Sequence, residues 1–526
     1  MKLTFIKEGA ISERLYQENI AEVASAESTL VVLPTGLGKT VVALKVIDRV
    51  LWREGGRVLF MAPTKPLVEQ HFSFLTEKLL LPQGEIVIMT GEVSPEKRSD
   101  WWRKARIVVS TPQVVENDIK SGTVWLRDFS LVVFDECHRA AGDYAYVHIA
   151  AIYHSEKGNG LVLGMTASPG SDLQAVESIC TTLGISRIEA RTEDDPDVEP
   201  YVQDIAVKWI EVDLPDRLKR ISGEFRKMLA RRVDSLKKMD FLAEDFAGTT
   251  RELLGAGKRI SDELASGRKN RTLFEALRMQ SEAIKIAHGI DLAETQSVHA
   301  LRQYVAKLLE EAEAKRSKAS VSIAGDEHFT TIRELLTQAR EEHPKMEKLR
   351  ETVAQQLERN HDSRIMVFTQ YRDTADAVER MVSSMTNARV LKLFGQSAKG
   401  SQKGLKQKEQ IDVINRFASG EANVLVSTSV GEEGLDITST DMVVFFEPVP
   451  SEIRTIQRKG RTGRLRSGRV VVLITRETKD EGYYYSSRRK ERAMKAALMS
   501  LNMKLHGSSG SVERPVPEKQ KKLFDF

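Results

Sequence analysis

The chain has 526 residues, 41% hydrophobic and 29% charged, with a formal net charge of +4; this is the composition of a globular chain about three domains long. Its two cysteines, Cys137 and Cys180, exclude a disulfide framework or zinc cluster and fit a reducing compartment. No uncharged apolar run reaches membrane-span length and the opening residues lack a signal-peptide core, so a cytoplasmic protein is expected.

In chain order, short Val/Ile-rich segments occur at Thr29–Leu33, Arg57–Met61, Ile86–Met89, Ile107–Val109, Leu131–Phe134 and Leu161–Gly164, separated by helix-like stretches. Strands buried on both faces of a parallel sheet have this pattern, which predicts an α/β lobe over residues 1–205. Asp194-Asp195-Pro196-Asp197 marks a boundary. A helical domain is expected over 206–345, because Leu218, Ile221, Phe225, Leu229, Val233 and Leu236 keep 3–4 spacing, as do Val298, Leu301, Val305 and Leu308. Between Arg217 and Lys285 it carries 17 Lys/Arg against 10 Asp/Glu, a net of +7 that exceeds the excess of the whole chain. Residues 346–505 repeat the α/β pattern, with strands at Ile365–Phe368, Val390–Leu393, Val424–Ser427, Met442–Phe446 and Val470–Ile474 and no phosphate loop. The Ser-, Gly-, Pro- and Lys-rich tail, 506–526, has the composition of a disordered segment.

The first strand runs into Pro34-Thr35-Gly36-Leu37-Gly38-Lys39-Thr40. Missing side chains at Gly36 and Gly38 let backbone N–H groups approach phosphate oxygens, Lys39 would reach the β/γ-phosphates, and Thr40 would ligate magnesium. The following helix points its positive end at the anion. Alone, the segment is also a Gly-rich turn. A second element corroborates it: the strand Leu131–Phe134 ends in Asp135-Glu136-Cys137-His138. There Asp135 would hold Mg²⁺ and Glu136 would position and deprotonate the attacking water. Upstream, Gln17 offers a donor and an acceptor that match adenine, and Arg14 could stack on the base; taken alone, these residues are equally an ordinary helix start. In the second lobe, Gln457-Arg458-Lys459-Gly460-Arg461-Thr462-Gly463-Arg464 suits arginine fingers at a γ-phosphate, or a basic nucleic-acid patch.

With these stations in order, the chain resembles superfamily 2 helicases: Pro34–Thr40 as motif I, Ala62–Leu67 as Ia, Ser110–Gln113 as Ib, Asp135–His138 as II, Thr166–Ser168 as III, Phe368–Tyr371 as IV, Ser427–Asp436 as V and Gln457–Arg464 as VI. Arg14-Leu15-Tyr16-Gln17, the DECH form of motif II and Ser429-Val430-Gly431-Glu432-Glu433-Gly434-Leu435-Asp436 resemble the archaeal Hef helicase and the Fanconi anaemia group M translocase. The resemblance implies two RecA-like lobes with a thumb-like, DNA-binding helical insertion, ATP and Mg²⁺ as cofactors, and ATP-driven movement on forks and four-way junctions. It adds Asp436 to the nucleotide site and Arg461 and Arg464 to catalysis. It places Thr64, Lys65, Thr111, Gln370 and Thr428 along a strand path that binds phosphates without reading sequence. His138, Thr166, Ser168 and Gln457 would couple the ATP site to that path; a satisfied buried polar cluster is the other reading of His138, Thr166 and Ser168. The nuclease segment that many Hef proteins carry is absent from these residues, so a nuclease acting in trans stays open, and a monomer is expected.

The tail ends in Gln520, Leu523, Phe524 and Phe526, similar to the peptide by which replication proteins dock on the sliding clamp (PCNA), without the usual second terminal aromatic. The alternative is a tail folded back onto the second lobe. Two rival functions stand beside the leading one: an RNA-directed DExH enzyme, and a clamp-tethered scaffold with little ATPase.

Overall fold

The computed structural model describes residues 4–54, 56–158, 160–170, 172–193, 195–201, 205–246, 248–266, 271–395, 404–428, 440–449 and 468–505. Seven strands, β1 (Thr29–Val32), β2 (Arg57–Met61), β3 (Ile86–Met89), β4 (Ile107–Ser110), β5 (Phe129–Asp135), β6 (Leu161–Thr166) and β7 (Arg187–Ala190), form a parallel sheet in the order β3-β4-β2-β5-β6-β1-β7. Its helices are α1 (Leu15–Ala24), α2 (Lys39–Glu54), α3 (Lys65–Lys78), α4 (Pro95–Lys104), α5 (Pro112–Lys120), α6 (Ala145–Lys157) and α7 (Leu173–Leu183). Side chains alternate across a strand, so consecutive residues feed different cores. Val132 and Phe134 pack into one, Leu131 and Val133 into the other. Both faces being covered explains why these strands are continuously apolar.

The second parallel sheet contains β8 (Ile205–Val212), β9 (Ile365–Phe368), β10 (Val390–Leu393), β11 (Val424–Ser427), β12 (Met442–Phe445) and β13 (Gly468–Thr475), in the order β10-β11-β9-β12-β13-β8. Between β8 and β9 the chain leaves to build a helical bundle, α8 (Asp216–Lys238), α9 (Thr250–Ala265), α10 (Arg271–Thr295), α11 (Val298–Glu313), α12 (Lys318–Ala324) and α13 (Glu327–Gln338). The two long helices α8 and α10 share two cores, one around Phe225 and Phe329 and one around Leu236 and Leu253. The architecture is thus two RecA-like lobes with an inserted helical domain, as expected from the sequence.

Two strands were not legible in the sequence. Both β7 and β8 are edge strands, interrupted by Arg187 and Glu189 and by Lys208 and Glu211, because an edge leaves room for charge. Since β8 pairs with β13 in full register, residues 205–212 lie in the second sheet and the inserted helices begin at Asp216.

The second lobe also contains α14 (Pro344–Arg359), α15 (Arg372–Ser383), α16 (Gln407–Ala418) and α17 (Lys479–Leu505). A buried polar joint fastens it to the bundle. Lys345 and Asp480 form a fully buried ion pair, Lys345 also donates to the Thr295 carbonyl (3.1 Å), and His343 bonds the Glu294 carbonyl (3.1 Å). Burial, with Lys345 nearby, holds the His343 imidazole down at a pKa of about 3. Midway along its length α17 meets the first lobe, where Met494 enters the core and accepts from Ser168 Oγ. No helix among the described residues is long and apolar enough to cross a membrane.

Candidate nucleotide and nucleic-acid site

Parallel strands deliver their carboxyl ends to one edge of a sheet, and open α/β sheets bind ligands there. In the first lobe the neighbours β4, β2, β5, β6 and β1 lead to Thr111, Thr64, Asp135, Thr166 and the Pro34–Thr40 loop respectively. The phosphate loop and the Asp135-Glu136 pair are therefore two strands apart, about 10 Å, with Thr166 between them.

The loop has a defined shape. Gly36 and Gly38 have φ of +92° and +78°, a region that L side chains rarely adopt. Gly38 also faces Gln17 so closely that a Cβ there would lie 2.4 Å from the Gln17 amide nitrogen. That nitrogen donates to the Leu37 carbonyl (3.0 Å), which also accepts from Tyr16 Oη (2.7 Å). Gln17 is buried, and its Oε1 has no hydrogen-bond partner among the described residues. Arg14 bonds Tyr16 Oη (3.2 Å) and lies over the Tyr201 ring, 5.3 Å from its centroid. Lys39 Nζ donates to the Leu33 carbonyl (3.1 Å), and Thr35 and Thr40 are half-buried.

At the end of β5, Asp135 is buried, and its Oδ2 accepts from His71 Nε2 at 2.8 Å. Burial pushes the carboxyl up, but the His71 hydrogen bond, the charges of His71 and Lys39 and the Glu136 N–H outweigh it, leaving the pKa below the usual carboxylate range. Tyr146 on α6 fixes the Asp135 carbonyl (2.8 Å). Glu136 adopts a left-handed conformation, φ +49°, the kind of strain that collects at functional sites. Its Oε2 lies 3.3 Å from His138 Nδ1. His138 bonds Thr166 Oγ1 (3.0 Å), which bonds the backbone N–H of Ser168 (3.1 Å). The structure thus gathers His138, Thr166 and Ser168 into one satisfied chain that begins beside Glu136 and ends on α17. Cys137 is buried beside them, its thiol pushed well up by burial.

Along the expected strand path, Thr64 and Thr111 precede the first turns of α3 and α5, and Thr64 Oγ1 is buried with no partner among the described residues. Lys65 is engaged by Glu92 (2.7 Å) and Glu69 (3.6 Å). In the second sheet Gln370 and Thr428 follow the neighbouring strands β9 and β11, and the Gln370 N–H is held by Glu447 Oε1 (2.6 Å). In the insertion, much of the positive charge is spent internally: Arg232 bridges Glu282 and Asp326, Arg226 pairs with Glu294 and Lys285 with Glu311. Lys219, Arg220, Lys238, Arg251 and Lys258 remain exposed, in no ion pair observed among the described residues. Asp436, Gln457, Arg461 and Arg464, and the tail residues Gln520, Leu523, Phe524 and Phe526, lie outside the described residues.

Sequence reasoning missed His71, Tyr201, Tyr146 and Glu447. Only His71 left a trace, a polar residue on the apolar stripe Val68-His71-Leu75.

Comparison with known proteins agrees with this arrangement. Residues 14–176 match the DEAD/DEAH box helicase family, 344–466 the helicase conserved C-terminal domain, and 217–343 the helical bundle of a provisionally named ATP-dependent RNA helicase. The crystal structure of the Pyrococcus furiosus Hef helicase domain superposes with a TM-score of 0.70 at 45% identity, covering 92% of this chain and 100% of that one. A Methanocaldococcus jannaschii protein, provisionally named an ATP-dependent RNA helicase, is 41% identical across 94% of this chain and 62% of its own length. The Neurospora crassa ATP-dependent DNA helicase mph1 is 32% identical across 89% of this chain and 41% of its own. The chain therefore spans less than two-thirds of the length of these curated relatives.

Proposed function

The chain belongs to the superfamily 2 DEAD/DEAH-box helicases, in the branch of the Hef helicase domain, mph1 and the Fanconi anaemia group M proteins, and we propose that it is a DNA-dependent ATPase that remodels branched DNA, stalled forks and four-way junctions above all. The family makes it an ATP-hydrolysing helicase. The observation that carries the site assignment is the convergence of the phosphate loop, Thr166 and Asp135-Glu136 on three neighbouring strand ends.

The residues fit a magnesium nucleotide: Asp135 is held ionised, and Gln17 Oε1 and Glu136 Oε2 are buried acceptors without hydrogen-bond partners among the described residues. Lys39 and the Gly36–Gly38 backbone hold the β/γ-phosphates, while Thr40 and Asp135 hold the metal. Magnesium, when bound, neutralises charge on the phosphate oxygens. Glu136 takes the proton of the attacking water. Gln17 Oε1 accepts from the adenine amine and Arg14 stacks on the ring, with Tyr201 supporting it. Arg461 and Arg464 would act on the nucleotide from the second lobe, Asp436 would belong to the nucleotide site and Gln457 would couple it to the strand path, so that hydrolysis releases a bridge between lobes and each cycle shifts the grip on the strand. Thr64, Lys65, Thr111, Gln370 and Thr428 contact phosphates, and the exposed lysines and arginines of α8 and α9 extend that contact to the duplex arm. Lys39→Ala and Glu136→Gln should each abolish DNA-stimulated ATP turnover.

Steady-state ATPase measured with single-stranded DNA, duplex, fork, four-way junction and double-stranded RNA tests the reading. Strongest stimulation by forks and junctions is expected. Stimulation by RNA alone would move the chain to the RNA-directed reading, which the M. jannaschii relative's name and the helical-bundle match favour. No turnover with any of them would leave a binding scaffold. The tail Gln520–Phe526 is proposed to dock on a sliding clamp; its deletion should abolish clamp binding and leave ATPase intact. A nuclease supplied in trans is a further expected partner.

A further inference from the structure

Two histidines attend the two carboxylates at the end of β5. His138, beside Glu136, belongs to the chain that leads through Thr166 to Ser168. His71, bonded to Asp135, belongs to a different element, α3. We propose that His71 is a positioning residue that transmits nucleic-acid binding at the head of α3 to the metal-holding Asp135. This rests on the site and strand path proposed above and adds a regulatory route to them.

Three observations carry it. First, α3 joins the two places directly. Thr64 and Lys65 stand at its amino end, and His71 is six residues further on, about 9 Å along the axis. Second, the donor and acceptor are fixed. An ionised carboxylate only accepts, so His71 donates from Nε2. Third, Nδ1 is buried with no partner among the described residues. A ring tied at both nitrogens would be fixed by its surroundings. Among the described residues this ring has one hydrogen bond, to Asp135, and it packs against Phe60 with centroids 4.5 Å apart. Its position therefore follows α3, and the Asp135 oxygen it holds follows the ring.

The helix also has something to exchange at its head. Lys65 is paired with Glu92 and Glu69, and the buried Thr64 hydroxyl has no partner among the described residues. A strand phosphate seated there takes Lys65 from the carboxylates and engages Thr64, drawing on the first turn of α3. Because the hydrogen bond weakens steeply with angle, a small shift of α3 changes how Asp135 is presented. Partners of metal-holding carboxylates typically contribute about 10- to 100-fold to metal affinity.

Coupling between two sites is reciprocal, so binding alone can test this. Affinity of the full chain for a non-hydrolysable ATP analogue with Mg²⁺ is measured with and without single-stranded DNA, and DNA affinity with and without the analogue, in wild type, His71→Leu, His71→Gln and His71→Asn. The Leu side chain keeps apolar volume without a donor, Gln places an amide N–H where Nε2 lies, and the shorter Asn does not reach. Expected are a tenfold or greater rise in the Mg²⁺ needed by the Leu and Asn variants, a DNA-induced gain in analogue affinity that falls toward one, and recovery of both in the Gln variant. DNA affinity without nucleotide stays at the wild-type value. If Leu does not fold, the Gln–Asn contrast carries the same test. Wild-type coupling retained in the Leu or Asn variant overturns the proposal alone. A wild-type protein whose analogue affinity ignores DNA removes the underlying reading, and the proposal with it.

Discussion

Gly38→Ala probes the phosphate loop through two separable costs. The residue has φ of +78°, and an alanine held in that region costs about 1–2 kcal/mol. The added Cβ would also stand 2.4 Å from the Gln17 amide nitrogen, so Gln17 must leave its bond to the Leu37 carbonyl, a loss of about 0.5–1.5 kcal/mol. Together the loop loses about 2–3 kcal/mol. Urea unfolding and fluorescent-nucleotide titration of Gly38→Ala, Gln17→Ala and the double variant measure the two parts. With Gln17 truncated the steric part vanishes while the φ cost stays, so the double variant should be about 1 kcal/mol more stable than the sum of the singles. Strict additivity would refute the contact between Gly38 and Gln17, and an unchanged nucleotide affinity in Gly38→Ala would refute the role of the loop.

At the joint between bundle and second lobe, burial holds His343 at a pKa of about 3, below its unfolded value of 6.5. The unfolded chain therefore binds more protons between those values, so stability falls as pH drops through this window. The loss at pH 5 is about 2 kcal/mol, and His343→Gln should show that much less destabilisation between pH 7 and pH 5 in urea titrations. In the buried Lys345–Asp480 pair, Lys345→Met alone should cost about 3–5 kcal/mol by stranding a carboxylate, and the double change Lys345→Met with Asp480→Leu should recover most of it in thermal melts. Met494→Ala opens the first-lobe core under α17 at a cost of about 2–5 kcal/mol, exposing α17 to limited proteolysis, whereas Met494→Leu costs less than about 1.5 kcal/mol.

The architecture was legible because strands buried on both faces, such as Leu131–Phe134, are uninterrupted apolar runs, while the edge strands β7 and β8 admit Arg187, Glu189, Lys208 and Glu211 and lose that signature. The site was legible in its chain-local parts. Asp135 and Glu136 follow a strand, and Lys39 and Thr40 follow another; a parallel sheet then sends both ends to one edge. What depends on the order of strands was hidden. Pairing of β2 with β5 brings α3 to Asp135, so His71, which in the sequence looks like one polar residue on an apolar stripe, becomes the partner of the buried Asp135 carboxylate. Charge counting is silent on the same kind of pairing. The +7 excess of Arg217–Lys285 does not say that Arg226, Arg232 and Lys285 are consumed by Glu294, Glu282, Asp326 and Glu311. Nor does it say that Lys219, Arg220, Lys238, Arg251 and Lys258 stay exposed, in no ion pair observed among the described residues. The same accounting applies to Lys65, whose engagement by Glu92 and Glu69 means that a strand phosphate on the proposed path would compete for it. Competition would lower affinity but make occupancy an exchange of partners at the first turn of α3, the event that the proposed His71 route would report.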